Sequence, residues 1–367
     1  MKEHMAPFYR VGIAVCLLRR IGTISALAAT LAPTMTMLPS AVCAAEIQTK
    51  QQDSPRIDTA IVRGLEFLAR NQNGDGSFMK DGPRLAVTAL CVMSFLASGH
   101  VPGGGRYGQD VRRGIDYIVA AFPADGYVGR TDSSRMYGQG IITMTLAEAY
   151  GVERDPVRRK KLRKVLEKAA KVILEAQKVP KSPDQAGGWR YEPGSADSDL
   201  SLSGWNGLAL RACNNSGVDV PREAIDRAAA YVLRCYQSER KGFSYQPHQQ
   251  SSPAMTGVGI LNLCLMDAAG RQEVTDASAY LTANPVNESS RFSYYSFYYT
   301  THAAFQVGKS TWQTVWTANS EKLVAMQQDD GGWPQSRDAQ EPGRMYATAM
   351  AVLSLSAPLK LMPVHQR

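Results

Sequence analysis

Gln72-Asn73-Gly74-Asp75-Gly76-Ser77-Phe78 and Gln327-Gln328-Asp329-Asp330-Gly331-Gly332-Trp333 are two copies of one heptapeptide. Gln237 to Phe243 repeats the scheme with Gly242 ahead of the aromatic, and in all three the Gln-to-aromatic spacing is six. Gln177 to Trp189 carries the same ends around a longer insert containing Pro180 and Pro183. Ala124-Asp125-Gly126-Tyr127 is a degenerate copy, and Arg291-Phe292-Ser293-Tyr294 a weaker one. The anchor aromatics are Phe78, Tyr127, Trp189, Phe243, Phe292 and Trp333; their five intervals average 51 residues. A fixed period of this size is the mark of a repeated supersecondary unit that buries its apolar face only against its neighbours.

Each unit has the same frame. A charged amphipathic segment comes first. Across 222–237 the apolar positions Ile225, Ala229, Val232 and Tyr236 fall at helical spacing, with Glu223, Asp226, Arg227 and Arg234 elsewhere. The Gly-rich turn follows. Then comes a nearly uncharged helix, over 84–98, 138–150, 201–213, 253–268, 297–307 and 345–356. Gly99, Gly151, Gly217, Gly270 and Gly308 stand close after five of these, where helices stop. A helix apolar all round must be buried on every side, and one with a single stripe covers it. An open stack would expose both ends; closing the ring removes them. Gly204, Gly207, Gly257, Gly259, Ala347 and Ala349 let inner helices approach closely. The expectation is all-α: one closed α/α toroid of six inner and six outer helices over 46–367. The repeat residues Gln72, Phe78, Gln177, Trp189, Gln237, Phe243, Gln327 and Trp333 read as structural. Each Gln amide sits where helix carbonyls lack partners, and the aromatic packs over the turn.

The 367 residues are 44% hydrophobic and 20% charged, which supports a sizeable core and excludes disorder or a multi-span membrane protein. Lys2, Arg10, Arg19 and Arg20 precede an uncharged run, 21–45, ending in Val42-Cys43-Ala44-Ala45. This reads as a secretory signal peptide over 1–45, so the protein is expected to be exported, periplasmic or extracellular. The leader accounts for +3 of the formal net charge of +8. Arg158, Arg159, Lys160, Lys161, Arg163 and Lys164 supply six charges, without which the rest of the chain is close to neutral. No nucleic acid partner is expected. The basic cluster reads as a solvated helix face, with contact to anionic lipid headgroups at a membrane surface as the alternative. Cys91, Cys213, Cys235 and Cys264 lie singly within apolar helical patterns and read as buried free thiols; no CxxC pair supports zinc, and no metal or cofactor is expected.

The Gln…Gly-x-aromatic repeat on helix pairs resembles the QW repeat of squalene–hopene cyclases and other class II terpene cyclases, and the toroid is similar to the β subunits of protein prenyltransferases. The likeness spans essentially the whole chain after the leader. It implies an apolar, isoprenoid-like lipid as ligand. Class II cyclases carry Asp-x-Asp-Asp at the start of an inner helix. Asp197-Ser198-Asp199-Leu200 is the matching stretch here, with Leu200 in place of the last Asp. By that resemblance Asp199 stands at the proton donor's position, Asp197 is its partner, and His302 is a further candidate as base or support. The cyclases pair two toroids around their cavity, whereas this chain has length for one.

Ser293 to His302 brings five aromatics into six positions at the start of an inner helix. Tyr294, Tyr295, Tyr298, Tyr299, Tyr346 and Trp205 are therefore expected to line a central cavity, where ring faces suit a flat apolar ligand or a carbocation. Two other functions compete. One is a non-catalytic interaction scaffold of the cell envelope, for which no partner protein is identifiable; an axis plugged by Tyr and Trp would favour it. The other is a carbohydrate-active toroid, which needs two carboxylates facing one cleft, with Asp132 or Glu192 joining Asp197 and Asp199.

Overall fold

The computed structural model describes residues 41–337 and 341–365. Of the expected leader over 1–45, residues 1–40 lie outside them. Residues from Thr49 onward form one compact unit. It alternates outer and inner helices: α1 (Ala41–Arg70), α2 (Arg84–Ala97), α3 (Gly108–Ala120), α4 (Arg135–Val152), α5 (Pro156–Lys178) and α6 (Leu200–Asn215) make three pairs. The remaining pairs are α7 (Arg222–Arg234) with α8 (Pro253–Leu265), α9 (Gln272–Ala283) with α10 (Ser293–Val307), and α11 (Lys309–Met326) with α12 (Gly343–Leu355). The odd-numbered helices are outer, the even-numbered inner. The strand content among the described residues is one short antiparallel hairpin, β1 (Tyr236–Gln237) on β2 (Gly242–Phe243).

Each helix class follows from its sequence. In α5, Asp155 accepts from the Val157 and Arg158 amides at 2.8 and 3.0 Å, and Pro156 takes the first helical position. Its buried stripe is Leu162, Leu166, Ala169, Ala170, Ile173 and Ala176. In α8, by contrast, every residue from Met255 to Leu265 is buried. The inner helices neighbour one another in order around the ring, and α12 returns to α2. At that seam the Ser94 hydroxyl donates to the Ala349 carbonyl at 3.0 Å, and Ser98 meets Ser356 at 3.1 Å. The ring is closed.

The repeat turn is a hydrogen-bonded joint between successive outer helices. Gln72 Nε2 donates to the Gly76 carbonyl (3.0 Å) and the Asp110 carbonyl of α3 (2.9 Å). Gln177 does the same to Gly187 and Ala224 of α7, and Gln327 to Gly331 and Ala60 of α1. The degenerate second copy has no Gln in that place. There Gln139, from inner helix α4, donates to Gly126 and Ala169 at 3.1 Å each. The turn glycines Gly76, Gly126, Gly187 and Gly331 all have φ between 84° and 92°. A Cβ on any of them would lie 2.4, 2.6, 2.3 or 2.5 Å from a carbonyl oxygen of the next outer helix. Only glycine fits there. The Phe78, Trp189, Phe243 and Trp333 amides donate to Thr88, Ser203, Thr256 and Thr348 hydroxyls on the inner helices. The aromatic is thereby pinned inward.

Two expectations about the repeat need correction. Gln237 lies in β1, and its amide reaches Cys235 O and Ser244 Oγ, within its own hairpin. The Tyr236 hydroxyl instead makes the link to α9, at Asp276. Phe292 is no anchor: it is 36% exposed, at φ 54°, just before α10. The fifth turn lacks both the Gln and the positive-φ Gly that draw the first, third and sixth against the next outer helix.

The four cysteines are free and buried. In the basic cluster, Arg158 pairs with Asp116 and Glu153, Arg163 with Glu167, and Arg159 lies 3.9 Å over the Tyr150 ring. Lys160, Lys161 and Lys164 are solvent-facing. No described helix is long and apolar enough to cross a membrane.

Candidate functional site

The inner helices run parallel, so the ring has one mouth at their N-terminal ends and one at their C-terminal ends. Asp199 belongs to the first. Its backbone N–H donates to the Trp189 carbonyl at 2.9 Å, which ties it to the repeat turn. Its side chain caps α6: Oδ1 accepts from the Leu202 amide (2.9 Å) and the Ser201 hydroxyl (2.6 Å). Oδ2 faces Arg190 Nη1 at 3.2 Å. Burial raises this carboxyl above the usual carboxylate range, opposed by those donors and Arg190. Both oxygens act as acceptors in a fixed lattice of donors.

Arg190 is the hub of this mouth. Its guanidinium lies between the rings of Tyr191 (4.9 Å) and Tyr245 (5.4 Å) and pairs with Asp197 at 3.3 Å as well as Asp199. The Tyr191 and Tyr245 hydroxyls meet at 3.0 Å, and Tyr137 meets Ser201 at 2.5 Å. Asp197 is half-exposed beside Arg190. Glu192 accepts from the Tyr127 hydroxyl at 2.8 Å and pairs with Arg135 at 3.4 Å. Asp132 Oδ2 accepts from the Leu85 and Ala86 amides, and Oδ1 from Ser134, so it serves the start of α2. Sequence reasoning missed Arg190, Tyr191, Tyr245 and Tyr137; residues 190 and 191, directly after the anchor Trp189, were the available signal.

The aromatic residues expected on a cavity wall fill the axis themselves. Trp205 stacks on Tyr298 at 5.4 Å and 14°, with the Tyr299 edge 5.3 Å away. Tyr295 meets Tyr299 at 4.6 Å, and Tyr298 meets His302 at 4.6 Å. Close packing of this kind needs glycine on the neighbouring helices: a Cβ at Gly257 would lie 2.8 Å from the Tyr299–Thr300 backbone. Tyr294 donates its hydroxyl to the Pro334 carbonyl at 2.7 Å. Tyr346 bonds Glu341, whose Oε1 also accepts from the Tyr295 amide. Small spaces include one of about 20 Å³ lined by Leu281, Val286 and Asn319, and one of about 10 Å³ beside His302 and Met362. Each has room for roughly one water. The expected open, aromatic-lined cavity is thus replaced by packed rings, because the large side chains of α6 and α10 meet across the ring.

His302 is far from Asp199. It stands nine residues into α10, roughly 14 Å below the rim at the usual helical rise. Its Nε2 lies 3.2 Å from the Leu353 carbonyl. Burial pushes it down to about 4, so it is neutral at pH 7 and donates there. It neither reaches nor supports Asp199.

The fold and this geometry define a single-ring α/α toroid with a filled axis. Neither a family model nor a curated protein matches the chain. Among solved structures it is similar to the GH76A α-1,6-mannanase of Salegentibacter sp. HEL1_6, with TM-score 0.62 and 11% identity over 83% of this chain and 99% of that one. It is also similar to the type II terpene cyclase MstE of Scytonema, with TM-score 0.55, 15% identity and the same coverages. A variant of that cyclase holding geranylgeranyl dihydroxybenzoate gives TM-score 0.52 at 14% identity, over 84% and 99%. At such identities the likeness is one of fold.

Proposed function

We propose that this protein is an exported, non-catalytic interaction scaffold of the cell envelope, a rigid ring that presents its mouths and loops to partners. The observation that carries this reading is the stack of Trp205, Tyr298, Tyr299 and His302 along the axis, whose buried rings pack on one another where a ligand would have to lie. The state of Asp199 supports it. An acid that protonates an alkene must offer a proton into a cavity, whereas both oxygens here accept from fixed donors. The carbohydrate-active reading fares no better, since Asp132 and Asp199 are committed to helix starts and Glu192 and Asp197 to arginines. Export follows from the leader alone.

The test is direct. Purified chain lacking residues 1–45 is extracted with organic solvent and, separately, incubated with squalene and geranylgeranyl lipids, then read by mass spectrometry. Neither retained lipid nor cyclised product is expected. Stoichiometric lipid, or a product lost in Asp199→Asn, restores the cyclase-like reading.

A further inference from the structure

The mouth at the C-terminal ends of the inner helices is closed by the segment that follows α12. Met362, Val364 and His365 of that segment are buried, while Leu359 and Leu361 at its edge are 40% and 48% exposed. Side chains of the ring bond its backbone. The Val364 amide donates to Glu148 Oε1 of α4 at 3.0 Å. Gln306 of α10 donates its side-chain amide to the His365 carbonyl. The His365 ring lies on the His302 ring at 4.2 Å, and its Nε2 meets the Tyr298 hydroxyl at 3.3 Å. Lys360 lies 5.5 Å over the Phe305 ring at the outer edge.

Glu148 is one of the polar groups that meet this segment. It is a buried carboxyl in an inner helix otherwise free of charge from Met136 to Val152. Its Oε1 accepts from the segment's Val364 amide, and burial pushes its carboxyl up to about 8. An acceptor, a donor and a flat ring at the end of a bore match one peptide unit: an N–H, a C=O and the side chains either side. The helix C-termini around it favour donors such as a peptide N–H. The small space beside His302, Leu353 and Met362 shows that the segment does not fill its seat completely.

We propose that this mouth is a binding site for a short peptide, recognised through its backbone, one aliphatic side chain and a following ring, and that residues 362–365 occupy it in cis. The proposal rests on the scaffold reading and names the partner's class: a peptide presenting the same pattern in trans, competing with the chain's own segment.

The experiment uses a chain ending at residue 358 and a fluorescein-labelled peptide of residues 359–367. Saturable binding by fluorescence anisotropy is expected for the shortened chain, with at least tenfold weaker binding to the full chain and to a Gln306→Ala version of the shortened one. A shortened chain that melts cooperatively yet ignores the peptide overturns the proposal. If shortening prevents folding, hydrogen exchange on the full chain decides. Exchange of the Val364 and His365 amides well before those of α8 supports a displaceable segment; exchange only with global unfolding makes it core and ends the idea. A shortened chain that retains lipid, undisplaced by peptide, sinks the scaffold reading itself; absence of both ligands sinks only this site.

Discussion

The repeat glutamines look alike in sequence and differ in what they hold. Gln177 bridges two carbonyls of different elements and receives Arg227 on its oxygen at 3.1 Å. Gln237 touches only its own hairpin's Cys235 and Ser244 among the bonds it makes. Gln177→Ala strips partners from a buried joint and is expected to cost about 2–3 kcal/mol. Gln237→Ala is expected to cost less than about 1 kcal/mol. Urea melts of the two variants side by side test this, and equal losses would show that the Gln acts through the aromatic rather than the bridge. Asp199 teaches the same lesson. Its spacing matched a known acid, but Ser201, Leu202 and Arg190 decide what the carboxyl does.

At the scale of elements, the inner helices explain where charge is tolerated. Ser and Thr hydroxyls on them can bond a carbonyl one turn back, as Ser354 does that of Met350 and Thr143 that of Gln139. Glu148 is different and gives the molecule a pH dependence. Its folded value is raised from 4.5 to about 8, so its contribution is whole below pH 4.5 and is lost as pH rises through about 8. His302 works the other way. Its value falls from 6.5 to about 4, so its contribution is present above 6.5 and lost as pH drops through 4. The two effects oppose each other between roughly 4.5 and 6.5. Above that range Glu148 acts alone among this pair. The melting temperature is expected to fall from pH 6.5 to 8 and then level, and Glu148→Gln to flatten that limb and to steepen the rise between pH 4.5 and 6.5, where Glu148 no longer offsets His302. Calorimetric melts across pH 4–9 check it; an unchanged slope in the variant would place the effect elsewhere.

For the whole molecule, closure is the decisive term. The α12–α2 seam covers the last exposed flank of the inner ring, through Ser94, Ala349, Ser98 and Ser356. A chain ending at residue 308 leaves α2 and α10 with bare apolar flanks. It is expected to lose cooperative unfolding and to bind a hydrophobic dye, against a sharp transition for the full chain. A cooperative melt of the five-pair chain would mean that the ring needs no closing.

Sequence by itself determined the architecture. The period, the greasy inner helices and the Gly-aromatic turns sufficed, because burial and left-handed backbone are properties a residue carries with it. It also placed Trp205, Tyr298 and Tyr299 near the axis. Tertiary structure alone decided whether those rings line a space or fill one, since that depends on how closely α6, α8 and α10 approach through their glycines. It alone put Arg190 against Asp199, moved His302 away from it, gave Gln139 the role of a missing repeat glutamine, and seated Val364 on Glu148. Each of these is a meeting of residues distant in the chain, and no local pattern encodes such a meeting.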